Sequence, residues 1–78
     1  MIAYSVLTPS KMEVIFNDKK LVISGEATLT PAFYADIASI KNWEPPFDNI
    51  PVTEEEKAEI IRRVIEETKD KELKIYFD

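Results

Sequence analysis

The 78-residue chain has no cysteine, no histidine and only one glycine. Without cysteine it can form neither a disulfide framework nor a thiolate metal site, and it has no thiol nucleophile. Without histidine it lacks the commonest metal ligand and the usual general base. A single glycine excludes the glycine-rich loops that bind phosphate in dinucleotide and P-loop sites. These absences argue against an enzyme, and we expect no catalytic residue, no cofactor and no metal site.

Basic residues are also few, since ten of them stand against fifteen acidic residues and give a net charge of −5. Phosphate backbones repel an acidic chain of this size, so nucleic acid is not expected as a partner. A basic protein would be attracted, although the same charge also favours solubility. No run approaches about 18 uninterrupted apolar residues, and the first ten residues contain no basic segment. We therefore expect no membrane span and no signal peptide, and a cytoplasmic location.

Hydrophobic residues make up 45% of the chain, which is typical of a folded globular protein. The length predicts a single domain over residues 1–78, close to the lower limit for a stable core. Residues 1–8 (MIAYSVLT) alternate loosely between apolar and polar side chains and end at Pro9-Ser10. This segment fits either an edge strand or a loose leader.

Two segments of alternating polarity predict a β-hairpin. Residues 11–16 (KMEVIF) and residues 21–27 (LVISGEA) each place apolar side chains at every second position. The polar residues 17–20 (NDKK) form the link between them. Gly25 lies where a strand would bend or bulge.

The segment after the hairpin fits two interpretations. Helical spacing would place Phe33 and Ile37 on one side, whereas strand spacing would leave Tyr34 and Asp36 together on the opposite face. We favour a third strand over residues 33–38, because an isolated hairpin is only marginally stable and needs a further strand.

The strongest local signal is a helix start at Thr53. Thr53 and Glu56 have the spacing of a capping box, and further acids in the first turn suit the positive end of the helix dipole. The spacing predicts a helix over residues 54–69, and residues 73–77 alternate as a final strand. The predicted apolar stripe of the helix consists of Ala58, Ile61, Val64 and Ile65, with Ile60 at its side.

These elements predict a small two-layer α+β fold in the order β-β-β-α-β. One helix from the C-terminal half would pack on one face of a three- to four-stranded, mostly antiparallel sheet. The opposite face would then carry Ile15, Val22, Tyr34 and Tyr76 among polar residues. Apolar patches of this kind often mark interfaces. The alternatives are that residues 1–8 fold over the face or that two copies associate through it.

The only tryptophan lies in a stiff segment, WEPPFD, at residues 43–48. The two prolines restrict the backbone, so the neighbouring side chains are presented rigidly. Trp43 fits a structural role, closing the open end of the core beside Phe47. It also fits recognition, because Glu44 and Asp48 would frame it for a cationic partner surface. Both roles are compatible if the ring packs inward while the acids point outward.

Several strings in this chain resemble the Immunity protein 74 family. They are IKNWEPPF at residues 40–47, PVTEEEK at 51–57, Ile60-Ile61, LKI at 73–75, and PAFYADIASIKNW at 31–43, ahead of and including the tryptophan. The resemblance covers roughly residues 12–78 and leaves the first ten residues outside. The matching positions are Trp43, Pro46 and the helix start at Thr53. A matching position does not by itself assign a contact, because a shared tryptophan can be shared for folding.

The resemblance implies a bacterial protein encoded beside a polymorphic toxin, which it binds and neutralises in the producing cell. The expected partner is thus a cognate protein toxin, with no nucleic acid and no membrane. The candidate partner-binding residues are Trp43, Glu44, Phe47, Asp48, Tyr34, Asp36, Ile15, Val22 and Tyr76. The rival hypothesis is a structural or housekeeping module that forms a homodimer through the same sheet face. A third hypothesis is an enzyme that binds a metal through carboxylates alone.

Overall fold

In the computed structural model, which describes residues 2–78, a five-stranded sheet curls around one helix. The elements are β1 (Ile2–Thr8), β2 (Lys11–Phe16), β3 (Lys19–Thr28), β4 (Ala32–Ala35), a 3₁₀ turn (Ile37–Ser39), α1 (Glu54–Thr68) and β5 (Lys74–Phe77). The strands lie side by side in chain order; β1 to β4 are antiparallel, and β5 is parallel to β4. The predicted α+β class is confirmed, with five strands where three to four were predicted.

The additional strand comes from the start of the chain. Residues 2–8 pair with β2 in the register Ile2↔Phe16 and Tyr4↔Val14, so this segment forms an edge strand of the sheet. It extends the sheet sideways and does not fold over the face opposite the helix, which removes one of the alternatives raised above.

The β2–β3 hairpin is tighter than predicted. Its turn consists of Asn17 and Asp18, whose φ angles of 51° and 66° lie in the left-handed region. Two-residue turns of this kind match the twist of the flanking strands, and asparagine and aspartate tolerate the conformation. The prediction of a four-residue link was wrong, because Lys19 and Lys20 belong to β3 and pair with Phe16 and Ile15.

Gly25 lies where β3 changes its register partner. Residues 19–24 of β3 pair with β2, and residues 25–28 pair with β4. A Cβ atom on Gly25 would lie 2.5 Å from both Phe33 Cε2 and the Tyr34 carbonyl oxygen. Only glycine leaves room for the Phe33 ring to pack against the strand at this point.

The third predicted strand is present but shorter than expected. β4 ends at Ala35, and Asp36 caps the 3₁₀ turn by accepting a hydrogen bond from the Ala38 amide at 3.0 Å. The strand prediction over residues 33–38 was therefore wrong for residues 36–38. Aspartate commonly bonds its side chain to the backbone two residues ahead, and this turns the chain out of the sheet.

The predicted capping box is confirmed at the start of α1. Thr53 Oγ1 accepts from the Glu56 amide at 3.1 Å, and Glu56 Oε1 accepts from the Thr53 amide at 3.0 Å. Two backbone donors that the helix cannot satisfy internally thus find partners. The helix ends at Thr68, one residue before the predicted end.

The buried stripe of the helix has a different phase from the predicted one. Ile60, Val64 and Thr68 are buried at a spacing of four residues, whereas Ala58 and Ile65 are exposed. Ile60 was thus wrongly assigned to the side of the stripe. Thr68 can be buried because its hydroxyl donates to the Val64 carbonyl at 2.9 Å.

The core lies between α1 and the sheet face that we call the inner face. Its buried members are Met12, Val14, Phe16, Leu21, Ile23, Phe33, Ala35, Ile40, Trp43, Val52, Ile60, Val64 and Ile75. The helix also contacts both outermost strands, β1 and β5, so the sheet encloses it from two sides. No helix among residues 2–78 is long and apolar enough to cross a membrane.

Candidate partner-binding face

The sheet face that points away from α1, here called the outer face, leaves several large apolar side chains exposed. The register places these residues on it: Ala3, Ser5, Glu13, Ile15, Lys20, Val22, Ser24, Glu26, Tyr34 and Tyr76. Ile15, Tyr34 and Tyr76 remain 41%, 42% and 48% exposed. Their side chains are therefore available to another molecule.

Two tyrosines form the aromatic part of this face. Tyr34 on β4 and Tyr76 on β5 are register partners, and their rings stack with centroids 5.3 Å apart and planes 23° apart. The parallel pairing of the two strands brings the rings together. A stacked pair is held more rigidly than single exposed rings, so less side-chain freedom is lost when a partner binds.

The second apolar part lies at the β1–β2 side of the outer face. Ile15 has Ala3 of β1 on one side and Lys20 of β3 on the other. A shallow groove of about 360 Å³ lies beside it and is lined by Ala3, Ile15, Asn17 and Asp18. The sequence analysis assigned no role to the segment that contains Ala3. The alternation of apolar side chains in that segment was the signal that could have placed Ala3 on this face.

Charges between the two apolar parts are largely balanced. Glu13 and Lys20 form an ion pair at 3.5 Å, and Lys11 Nζ donates to Ser24 Oγ at 3.2 Å. Val22 is half-buried between them. The centre of the outer face is thus neutral and polar, with apolar side chains at both ends, a pattern compatible with protein recognition.

Trp43 is buried in the core and does not reach the outer face. It is 1% exposed, its amide donates to the Ile50 carbonyl at 3.2 Å, and Asn42 and Pro51 form an antiparallel bridge that closes the loop. The indole Nε1 has no hydrogen-bond partner among the described residues, so packing holds the ring. Of the two roles left open by the sequence, the structure shows the structural one.

Lys19, the first residue of β3, lies against the loop that contains Trp43 and Phe47. Its Nζ lies 5.4 Å from the centroid of the Trp43 ring and 5.9 Å from that of Phe47. A lysine ammonium at this distance from an aromatic face is attracted to the ring electrons. Sequence reasoning missed this contact, because it assigned Lys19 to the turn.

Three of the remaining predicted contact residues lie on this loop, and the fourth, Asp36, lies at the end of β4. Glu44 is half-buried, and its amide donates to the Lys20 carbonyl at 2.8 Å, which places the loop against β3. Asp48 is exposed, and its carbonyl accepts from Asn42 Nδ2 at 3.3 Å. Phe47 is half-buried against the core, and Asp36 is exposed while it caps the 3₁₀ turn. The predicted residues therefore fall into two groups, one on the outer face and one on this loop, with Asp36 apart from both in the 3₁₀ turn.

Within residues 2–78 no group of three or more acidic side chains is placed to hold a metal ion. On the surface of α1, hydrogen bonds from Arg62 and Arg63 lower the pKa of the Glu59 carboxyl. Both contacts lie along α1, at 2.8–3.3 Å, away from the outer face. They form a helix-surface ion-pair network.

Comparison with protein families identifies one match. The model of the family described as Immunity protein 74 matches residues 5–78, which is nearly the whole chain. No curated protein and no solved structure matches the chain significantly.

Proposed function

The chain belongs to the Immunity protein 74 family, and we propose that it binds and neutralises a cognate toxin by stoichiometric protein–protein contact. In this proposal the outer face of the sheet covers a functional surface of the toxin. Inhibition of this kind requires no chemistry from the chain itself. It requires a surface complementary to the toxin and a complex that dissociates slowly.

The observation that carries the proposal is the open outer face. Tyr34, Tyr76 and Ile15 together leave apolar surface exposed at two points of one face, while α1 and the connecting loop bury most of the apolar side chains on the other face. Tyrosine is enriched among the residues that contribute most to binding energy at interfaces. The stacked tyrosine pair is therefore assigned as the anchor of the interface.

The acidic residues of the loop contribute to the rate of association. The net charge of −5 attracts a basic toxin surface. Asp48 is exposed and Glu44 half-exposed, and the contact between Glu44 and Lys20 places both beside β3. Salt should therefore slow association, and the double variant Glu44→Lys/Asp48→Lys should associate more slowly while it remains folded.

Trp43 contributes to binding only indirectly. Its ring is buried, so it fixes the position of the loop that carries Glu44 and Asp48, without touching the toxin itself. The tryptophan–proline segment is in this proposal a folding element that presents acidic side chains at the rim of the interface.

The test uses the purified toxin domain encoded by the gene beside this one. Tyr34→Ala and Tyr76→Ala should each weaken binding by about 2 kcal/mol or more, roughly 30-fold, in a titration that gives a 1:1 stoichiometry for the unmodified chain. Leu29→Ala is the matched control, because Leu29 is a fully exposed apolar residue in the β3–β4 turn. It should bind as the unmodified protein does.

Unchanged affinity in both tyrosine variants would remove the outer face from the interface. A chain that shows no binding and no inhibition of that toxin domain, yet dimerises through Tyr34 and Tyr76, would instead favour the rival structural module. Sedimentation of the Tyr34→Lys variant distinguishes these outcomes. A dimer formed through this face would bring the two introduced lysines close together, and their repulsion would dissociate it.

A further inference from the structure

The edge strand β1 differs from the other strands of the sheet in its lack of protection. β1 is seven residues long and contains neither a charged residue nor a proline. Natural proteins usually blunt exposed edges with charge, proline or short strands, because the unpaired backbone groups otherwise pair with another chain. The one irregularity of β1 is a register shift between Val6 and Thr8, at its end.

The opposite edge of the sheet shows what such protection looks like. β5 has only four residues and begins with Lys74, whose ammonium donates to the Lys69 carbonyl at the end of α1. Among the hydrogen bonds of residues 2–78, by contrast, none reaches β1 from any strand or loop beyond β2 and the following turn. Although α1 contacts β1, the outer backbone edge of β1 has no hydrogen-bond partner within residues 2–78 and is available for strand pairing.

We propose that a second copy of this chain pairs with β1 edge to edge, antiparallel and about a two-fold axis. The resulting dimer has a continuous ten-stranded sheet and an outer face of doubled length. The proposal is independent of toxin binding, because it uses the edge of the sheet and leaves Tyr34 and Tyr76 free.

Charge selects the second copy as the occupant. Two copies of a chain with net charge −5 repel each other, so they can meet closely only where the surface is neutral. Every register of a β1–β1 pair opposes uncharged side chains, because the strand contains no others. The nearest acid on β2, Glu13, is already paired with Lys20 at 3.5 Å. A basic toxin would be drawn instead to the acidic parts of the molecule.

The side chains of β1 also suit self-pairing. Ile2, Tyr4 and Val6 are only half-buried at the margin of the core, and a second copy would cover them further. Because residues alternate between faces, a two-fold antiparallel pairing centred near Ser5 places Tyr4 opposite Val6. An aromatic side chain opposite a β-branched one is a favourable cross-strand pair.

The test is sedimentation equilibrium of the full chain, whose mass is 9.0 kDa. We expect the unmodified protein to show a concentration-dependent shift to twice this mass. Ser5→Lys should abolish the shift, because it places two like charges close to the axis. Ser10→Lys is the matched control; Ser10 is exposed in the turn after β1, and this variant should still dimerise. Circular dichroism verifies that both variants are folded.

Two outcomes would overturn the proposal. One is an unmodified protein that stays at 9.0 kDa at every concentration reached. The other is a dimer that Tyr34→Lys dissociates and Ser5→Lys leaves intact, since that dimer would use the outer face. A second measurement does not depend on charge. Because the chain has no cysteine, the Ser5→Cys variant should form a disulfide-linked dimer on oxidation. The Ser10→Cys variant should form much less of this dimer.

Discussion

The two faces of the sheet carry the same kinds of side chain but in different surroundings. Ile23 on β3 is fully buried under α1, whereas Ile15 on the neighbouring strand β2 is 41% exposed on the outer face. The aromatic residues divide in the same way, since Phe33 is fully buried while Tyr34, the next residue, is 42% exposed. We therefore expect the inner face to provide most of the stability of the fold and the outer face to contribute little to it.

The largest effect is expected at Trp43, which joins the loop to the inner face. Trp43→Ala should lower the free energy of unfolding by about 3–5 kcal/mol, because it leaves a large cavity in a small core. Urea denaturation followed by circular dichroism measures this. Tyr76→Ala on the outer face should cost only about 1 kcal/mol, mainly through the lost ring stack. A Trp43→Ala protein as stable as Tyr76→Ala would show that the loop does not belong to the core.

The comparison can be sharpened with one substitution made on both faces. Ile23→Ala should lower the free energy of unfolding by about 2–5 kcal/mol, while Ile15→Ala should change it by about 1 kcal/mol or less. Affinity for the toxin domain should follow the opposite order among the folded variants, with Ile15→Ala the weaker binder. Equal destabilisation by the two variants would contradict the division into a buried and an open face.

A smaller effect is expected where the helix begins. Thr53→Ala should destabilise the protein by about 1 kcal/mol, because the Glu56 amide loses its partner. Thr53→Ser keeps the hydroxyl and should restore most of the loss. Since α1 covers only the inner face, binding of the folded Thr53→Ala protein to the toxin domain should be unchanged. Weaker binding at full folding would show that α1 also contributes to the interface.

The smallest effect concerns the ion pairs on the exposed side of α1. Arg62 and Arg63 lower the pKa of Glu59, so its charged form stabilises the folded state above the pKa of an ordinary glutamate, about 4.3. That contribution is lost as the pH falls through the lowered pKa. Glu59→Gln should therefore unfold at slightly lower urea than the unmodified protein at neutral pH. Well below the lowered pKa the two midpoints should coincide, and a difference that persisted there would point to another cause.

Local patterns predicted those parts of the fold that local interactions determine. Alternation placed Ile15, Val22, Tyr34 and Tyr76 together on one face, and the structure confirms that placement. The capping box at Thr53 likewise depends on residues close together in the chain and was predicted correctly.

Other features depend on contacts between distant residues and could not be predicted. The phase of the helix stripe was wrong because Ile60 and Ile61 are both apolar, and only the position of the sheet decides that Ile60 is buried. Residues 2–8 became a strand because β2 offers them an edge. For Trp43, packing and recognition both fitted the sequence, and its burial depends on a core assembled from four strands, the helix and the loop that carries Trp43.

The central claim, that the outer face of the sheet is occupied by the toxin, is tested most directly by thiol protection. The chain has no cysteine, so Glu26→Cys on the outer face and Glu67→Cys on the exposed side of α1 each introduce a single reactive thiol. Glu26 is exposed and pairs with Tyr34 in the sheet, so its thiol reports on the outer face while the tyrosine pair stays intact. An excess of the toxin domain should slow alkylation of the Glu26→Cys thiol strongly and leave the Glu67→Cys thiol unaffected. Slow alkylation of Glu67→Cys together with an unchanged rate for Glu26→Cys would place the toxin on the helix and contradict the claim.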